Sequence, residues 1–174
     1  MSTPGLPGLT TPEDRLTAMG LTLPAVAAPL AAYVPALRSG NYVYTSGQLP
    51  TVDGELVAVG KVGTGAGASV SPEEAQAAAR ICALNALAAL RSVVGELSLV
   101  VRIVKVLGFV ASEPDFTGQA AVINGASELL LEVFGAGGVG DSPIGAHARS
   151  AVGVAVLPRD APVEVELIAE VTPA

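Results

Sequence analysis

A helix start is written into the middle of the chain at Ser71-Pro72-Glu73-Glu74. Ser71 can cap, Pro72 presets the backbone of the first turn, and Glu74 sits where its carboxylate completes a capping box. The Ala/Leu-rich stretch that follows predicts a helix running to about Val94, stopped by Gly95. Ile81, Leu84, Leu87 and Leu90 recur at helical spacing and form its core-facing stripe.

Around that helix the pattern alternates between strand and helix. Asn41–Ser46 is rich in β-formers and follows a Ser39-Gly40-Asn41 turn, and a short strand fits Glu55–Val59, entered through Asp53-Gly54. Leu99–Ala111 predicts a long strand, with Arg102 at one edge of its apolar alternation and Lys105 within it. Phe116–Phe134 is the second long helix and Gly135–His147 a Gly-rich loop. Arg149–Leu157 and Val163–Val171 close the chain as strands, joined through Pro158-Arg159-Asp160-Ala161-Pro162. At the other end, residues 1–10 are Pro/Gly-rich and expected to be loose. Thr11-Pro12-Glu13-Asp14 opens a short helix ended by Gly20, and Ala25–Ala32 is an Ala/Pro-rich linker. The order β-β-α-β-α-β-β predicts an α+β fold, a mixed sheet covered on one face by both long helices. Residues 1–32 form an extension and 33–174 a single domain. Val163, Val165, Leu167, Ala169 and Val171 alternate with Glu164, Glu166, Ile168 and Glu170. With both helices on one face, the other face is still apolar, and an oligomer is its simplest cover.

Composition narrows the function classes. A chain of 174 residues, 51% hydrophobic, makes about one domain with a generous core, but with no Trp, three Phe and three Tyr. Nine Lys+Arg against 16 Asp+Glu leave −7, which argues against a dedicated nucleic-acid binder with its basic stripe. Cys82 stands alone, so no intrachain disulfide or cysteine-based zinc site is available, and one histidine excludes a multi-histidine metal site. There is no signal-peptide pattern and no run of about 18 uncharged apolar residues, so a cytoplasmic protein without a membrane span is expected.

Most motif candidates have plain readings. Gly63-Thr64-Gly65-Ala66-Gly67 follows no strong strand, and Lys61 lacks the Ser/Thr after a P-loop lysine, so a loop is expected there. Cys82 sits beside Ile81 and predicts a buried small apolar residue. The acidic run at 164, 166 and 170 is a solvated strand face unless an arginine or a cleft meets it. Arg149 is a strand-end arginine that pairs with a surface carboxylate, or an anion clamp, since a guanidinium matches a carboxylate bidentately. His147 lies two residues earlier, on the same face of an extended chain, where a satisfied loop histidine is the plainer reading.

Tyr33-Val34-Pro35, then Gly40-Asn41-Tyr42-Val43-Tyr44-Thr45-Ser46-Gly47-Gln48-Leu49-Pro50, resembles the N-terminal signature of the Rid family. These are the YjgF-like reactive-intermediate deaminases, once labelled endoribonuclease L-PSP. Ala148-Arg149-Ser150-Ala151-Val152, Leu157-Pro158 and Val163-Glu164-Val165-Glu166-Leu167-Ile168-Ala169 fit its closing signature, and Asn124 sits at the family's site asparagine. The resemblance covers about residues 33–171. It implies a chorismate-mutase-like fold assembled as a barrel-cored homotrimer, with clefts between subunits. It implies cofactor-independent hydrolysis of 2-imino or enamino acids, such as 2-iminopropanoate and 2-iminobutanoate, to 2-keto acids and ammonia, with no metal. By position, Arg149 holds the substrate carboxylate and Glu164 orients the attacking water. Tyr33, Ser46, Gly47 and Asn124 line the pocket, with His147 and Ser150 behind them. Ala151 replaces a cysteine common in the family, and Gly153 a glutamate. These departures, the N-terminal helix and the long 135–147 loop mark a side branch. A non-catalytic trimer binding small carboxylates through Arg149 is the alternative, and an endoribonuclease the third reading.

One geometric expectation follows from the strand assignments. A simple hairpin of 149–157 with 163–171 sets Arg149 opposite about Glu170. It separates Arg149 from Glu164 by about six residues, or roughly 20 Å. Both then serve one site only from different subunits.

Overall fold

Three caps set the helices of the computed structural model, which describes residues 11–26, 32–135 and 142–173. The expectations for residues 1–10, for most of the Ala25–Ala32 linker and for the Gly-rich stretch 136–141 lie outside the described residues. Helix α1 (Pro12–Ala18) starts with a reciprocal box: the Asp14 N–H donates to Thr11 Oγ1 at 3.0 Å and the Thr11 N–H to the Asp14 carboxylate at 3.2 Å. Helix α2 (Pro72–Val94) repeats the device with Ser71 and Glu74, and Gly95 ends it at φ +90. Helix α3 (Gln119–Phe134) has no side-chain cap, its N-cap being Gly118, and starts at Gln119, three residues later than the sequence suggests. The delay has a local cause. Ser112–Gly118 is a turn in which the Phe116 N–H donates back to Glu113, while the Gln119 amide donates to the Phe116 carbonyl.

The main sheet has five strands in the order β1-β2-β7-β5-β6: Ala36–Ser39, Tyr42–Thr45, Val163–Val171, Val100–Ala111 and Ala148–Val154. Only β5 and β6 run parallel, a pairing that needs a crossover, and α3 provides it. A separate two-stranded ribbon, β3 (Thr51–Val52) and β4 (Glu55–Leu56), turns at Asp53-Gly54, both with positive φ.

Three expectations are corrected. First, the opening strand pair is β1–β2 about the Gly40-Asn41 turn; Glu55–Val59 contributes only the two residues of β4, in the small ribbon. Ala36–Ser39 was hidden because its four residues show no strong alternation. Second, β6 and β7 are not a hairpin: β5 lies between them, parallel to one and antiparallel to the other. The strand after Arg149 also stops at Val154, before the turn. Third, the apolar side of β7 needs no second chain. Val163, Val165, Leu167, Ala169 and Val171 are at most 1% exposed beneath α2 and α3, and the open face is the mixed one carrying Lys105, Phe109, Glu164 and Glu166.

Packing fixes the two long helices at close range. A Cβ on Gly125 of α3 would come within 2.0 Å of the Gln76 carbonyl of α2, so only glycine allows that approach. In length and apolarity α2 matches a membrane-crossing helix, yet most of its apolar residues, Cys82, Leu87 and Leu90 among them, are core, while Ile81 and Leu84 of the expected stripe are only half-buried. Helix α1 docks on this layer through Arg15, which donates to the Val133 carbonyl, and Glu13, which accepts from the Leu97 N–H at 2.8 Å.

Candidate functional site

Residue pairing decides which face each site residue occupies. Arg149 pairs with Val106 and Val106 with Leu167, which is buried under the helices, so the Arg149 side chain rises on the helix side. There it lies along one face of α3. Its Nη1 donates to Asn124 Oδ1 at 2.9 Å and to Ser127 Oγ at 3.0 Å, and its Nη2 to the Ala120 carbonyl at 3.1 Å. All three acceptors are neutral, and no ion pair with Arg149 occurs among the described residues. A guanidinium has five N–H groups. The Nε–H and one Nη2–H are left by those three bonds, and two such hydrogens are what a guanidinium uses to grip a carboxylate.

His147 completes this cluster. Its Nδ1 lies 2.7 Å from the Gly145 carbonyl and its Nε2 2.9 Å from Ser127 Oγ. A carbonyl only accepts, so Nδ1 carries the proton and Nε2 accepts from the serine hydroxyl. Burial lowers the imidazole below its ordinary value; the Gly145 bond opposes that, and the Arg149 charge adds to it. The loop is seated by Gly145, where a Cβ would come within 2.4 Å of the Leu130 carbonyl.

Glu164 pairs with Phe109, three residues along β5 from Val106, so it points to the opposite face. Its carboxylate lies so close to Gly47 that a Cβ there would collide with Oε1. Residue 47 must therefore be glycine for the carboxylate to sit there. Burial raises the Glu164 carboxyl above its ordinary value, and Glu166 beside it pushes the same way. The neighbouring Gln48 bridges to Val165 in both directions, fixing the 46–48 segment along β7. Ser46 donates its hydroxyl to the Val34 carbonyl at 2.7 Å, and its N–H to Pro35, so it anchors the Tyr33-Val34-Pro35 segment. Tyr33 and Gly47 line a cavity of about 400 Å³ with Gln48, Asn85 and Arg159.

The predicted residues thus fall into two groups. Arg149, Asn124 and His147 gather on the helix side of the sheet edge; Glu164, Gly47, Ser46 and Tyr33 gather at the other end of β7. Ser150 joins neither: it sits on the open face, where Lys105 Nζ donates to it at 3.0 Å. Arg149 and Glu164 differ by three residues along the strands and two strands across, about 10 Å in each direction. That replaces the 20 Å hairpin estimate, and the opposed faces are the stronger reason why one chain does not bring them to one small molecule.

The family described as "YjgF/chorismate mutase-like, putative endoribonuclease" matches residues 13–171. The chain belongs to that family. Among relatives of this YjgF-like chain, Protein TCP17 of Trypanosoma cruzi is 46% identical over 157 residues, covering 90% of this chain and 91% of its own. A Shewanella oneidensis crystal structure, described as a putative endoribonuclease, shares 36% identity at TM-score 0.84, covering 93% of this chain and all of that one. The Escherichia coli protein TdcF, solved with bound serine, shares 27% identity at TM-score 0.60, over 87% and 96% of the two chains.

Sequence reasoning missed two polar residues of this YjgF-like chain. Ser127 sits in the third turn of α3, where a serine carries no motif; only its spacing of three from Asn124, one helical turn, hints that both meet one partner. Asn85 is 7% exposed inside α2 and donates its amide to the Leu49 and Thr51 carbonyls, tying the cavity wall to the helix. Among the described residues no group of three His, Cys, Asp or Glu side chains suits a metal ion.

Proposed function

We propose that this protein is a cofactor-independent hydrolase of 2-imino and enamino acids, acting as the Rid deaminases do, in clefts between the subunits of a homotrimer. The observation that carries the reading is the Arg149 guanidinium. It is oriented by three neutral acceptors on α3, uncompensated by any carboxylate among the described residues, and left with two N–H groups for a substrate carboxylate. TdcF, which shares the fold, was solved with serine, a small molecule bearing such a carboxylate.

The chemistry asks little more. An imine carbon is already electrophilic, so holding the substrate and supplying a positioned water suffices. Glu164 takes a proton from that water as its oxygen bonds to C2 of the protonated imine, giving a neutral carbinolamine. That proton then passes to nitrogen, and as the C–N bond breaks the remaining hydroxyl proton goes to Glu164, releasing ammonia and a 2-keto acid. A carboxyl group held above its ordinary value is better matched to that proton transfer than a solvated one. Because Arg149 and Glu164 occupy opposite faces of one sheet, the cleft takes Arg149 from one subunit and Glu164 with Gly47 and Tyr33 from the next. The open sheet face then forms the trimer's barrel core. A ribonuclease role fits less well: the charge is −7, and the chain's one histidine is bound at both ring nitrogens.

The test is keto-acid formation from 2-iminopropanoate and 2-iminobutanoate generated by an amino-acid oxidase, with semicarbazide trapping reporting imine lifetime. Wild type is expected to accelerate hydrolysis and Arg149→Ala to lose at least about 100-fold in kcat/KM. Equal acceleration by both overturns the role of Arg149. No acceleration, with carboxylate binding intact, leaves the alternative of a non-catalytic carboxylate-binding trimer.

A further inference from the structure

Ser127 and His147 make no use of their bonds in the chemistry just described, yet they are linked to its anchor. The links run in one direction. Gly145 O accepts from His147 Nδ1, which leaves Nε2 bare; Nε2 accepts from the Ser127 hydroxyl; the lone pairs of that oxygen then face Arg149 Nη1. A serine hydroxyl whose proton is already committed to an imidazole offers only acceptor capacity to its other neighbour. Asn124 Oδ1 takes the second Nη1 hydrogen, and both are thereby fixed toward α3.

A guanidinium is planar, so fixing Nη1 on both hydrogens and Nη2 on one orients the whole group. The edge left over is the one bearing Nε–H. Without an acceptor at Ser127 only the Asn124 and Ala120 bonds remain, so the plane can tilt about the line joining those two acceptors, and the carboxylate-binding edge tilts with it. We propose that Ser127 and His147 are positioning residues for Arg149, a relay that holds its carboxylate-binding edge outward. The inference rests on the reading of Arg149 as the carboxylate anchor. Gly145 belongs to the same device. Its missing side chain lets the loop press onto the α3 backbone and sets His147 at the right height.

The relay acts on binding rather than on the proton transfer at Glu164, and that separates it from a general structural role. Four variants are compared with wild type: Arg149→Ala, Ser127→Ala, His147→Ala and His147→Gln. They are measured by kcat and KM on 2-iminobutanoate and by calorimetric titration with 2-oxobutanoate. Ser127→Ala and His147→Ala are expected to raise KM and Kd about tenfold with kcat changed less than about twofold. His147→Gln, whose amide oxygen still accepts from Ser127, is expected to recover most of the loss. A second readout needs no turnover. The chain has one histidine, so a long-range proton–nitrogen spectrum reports His147 alone. It is expected to show the Nδ1–H tautomer, with an Nε2 signal that moves on adding 2-oxobutanoate in wild type and stays still in Ser127→Ala.

The outcomes separate. If Arg149→Ala weakens 2-oxobutanoate binding while Ser127→Ala and His147→Ala leave it within twofold of wild type, the relay is overturned and the anchor stands. If Arg149→Ala leaves binding unchanged, the anchor itself is wrong and the relay falls with it. An Nε2–H tautomer in wild type overturns the relay directly.

Discussion

At Glu164 the proposed function and stability pull in opposite directions. Its carboxyl is raised by burial and by Glu166, so the folded state binds its proton more tightly than the unfolded chain does. Stability from this group is therefore highest below the unfolded value of about 4.3 and falls as pH rises toward the folded value. Glu164→Gln removes the charge that burial disfavours. It is expected to raise Tm by about 1–3 °C in thermal unfolding at pH 7 while abolishing turnover. The acid limb of kcat/KM in wild type is expected above the ordinary glutamate value of about 4.3. A limb at or below that value contradicts Glu164 as the base. His147 has the opposite sign. Its folded value is lowered, so its contribution is complete above about pH 6.5 and declines as the pH falls through the folded value. Arg149 and Glu164 themselves were legible as residue types set in signature motifs. Ser127 was not, because its significance comes from two partners 20 and 22 residues further along the chain.

Elements were legible where their signals are local. The helix starts at Thr11-Pro12 and at the Ser71/Glu74 capping box, the alternation of Val163–Val171 and the Asp53-Gly54 turn each depend on residues within a few positions, and all of them appear in the structure. Strand neighbours were not legible, since alternation reveals which face a residue takes and says nothing about which strand lies beside it. That is why β5 between β6 and β7 escaped the sequence while the faces of β7 did not. Contact between helices is similarly hidden, with glycine its one trace. Gly125→Ala drives a methyl into the Gln76 carbonyl, which as helix backbone cannot turn aside. A loss of about 2–4 kcal/mol is expected from urea unfolding midpoints. By contrast, Gly108→Ala meets the Ile123 side chain, at Cδ1, Cγ1 and Cγ2, rather than helix backbone, and is expected to cost less. Equal costs contradict the close α2–α3 approach.

For the whole molecule, the sheet acts as a partition. It carries Arg149, the proposed carboxylate anchor, on the helix side at one edge and Glu164, the proposed base, on the open face, about 10 Å away in each of two directions. On that proposal a single chain holds two half-sites, and the activity belongs to an assembly in which one copy's anchor meets another's base. The measurement that bears on this most directly is complementation. Arg149→Ala and Glu164→Ala chains carrying different tags are co-expressed, and mixed oligomers are isolated through both tags. Each variant alone is expected to be inactive toward 2-iminobutanoate. In a three-membered ring that holds both chains, one interface in three joins an intact anchor to an intact base, so about a third of wild-type activity is expected. Mixed oligomers that hold both chains and show no recovery would contradict a site shared between subunits.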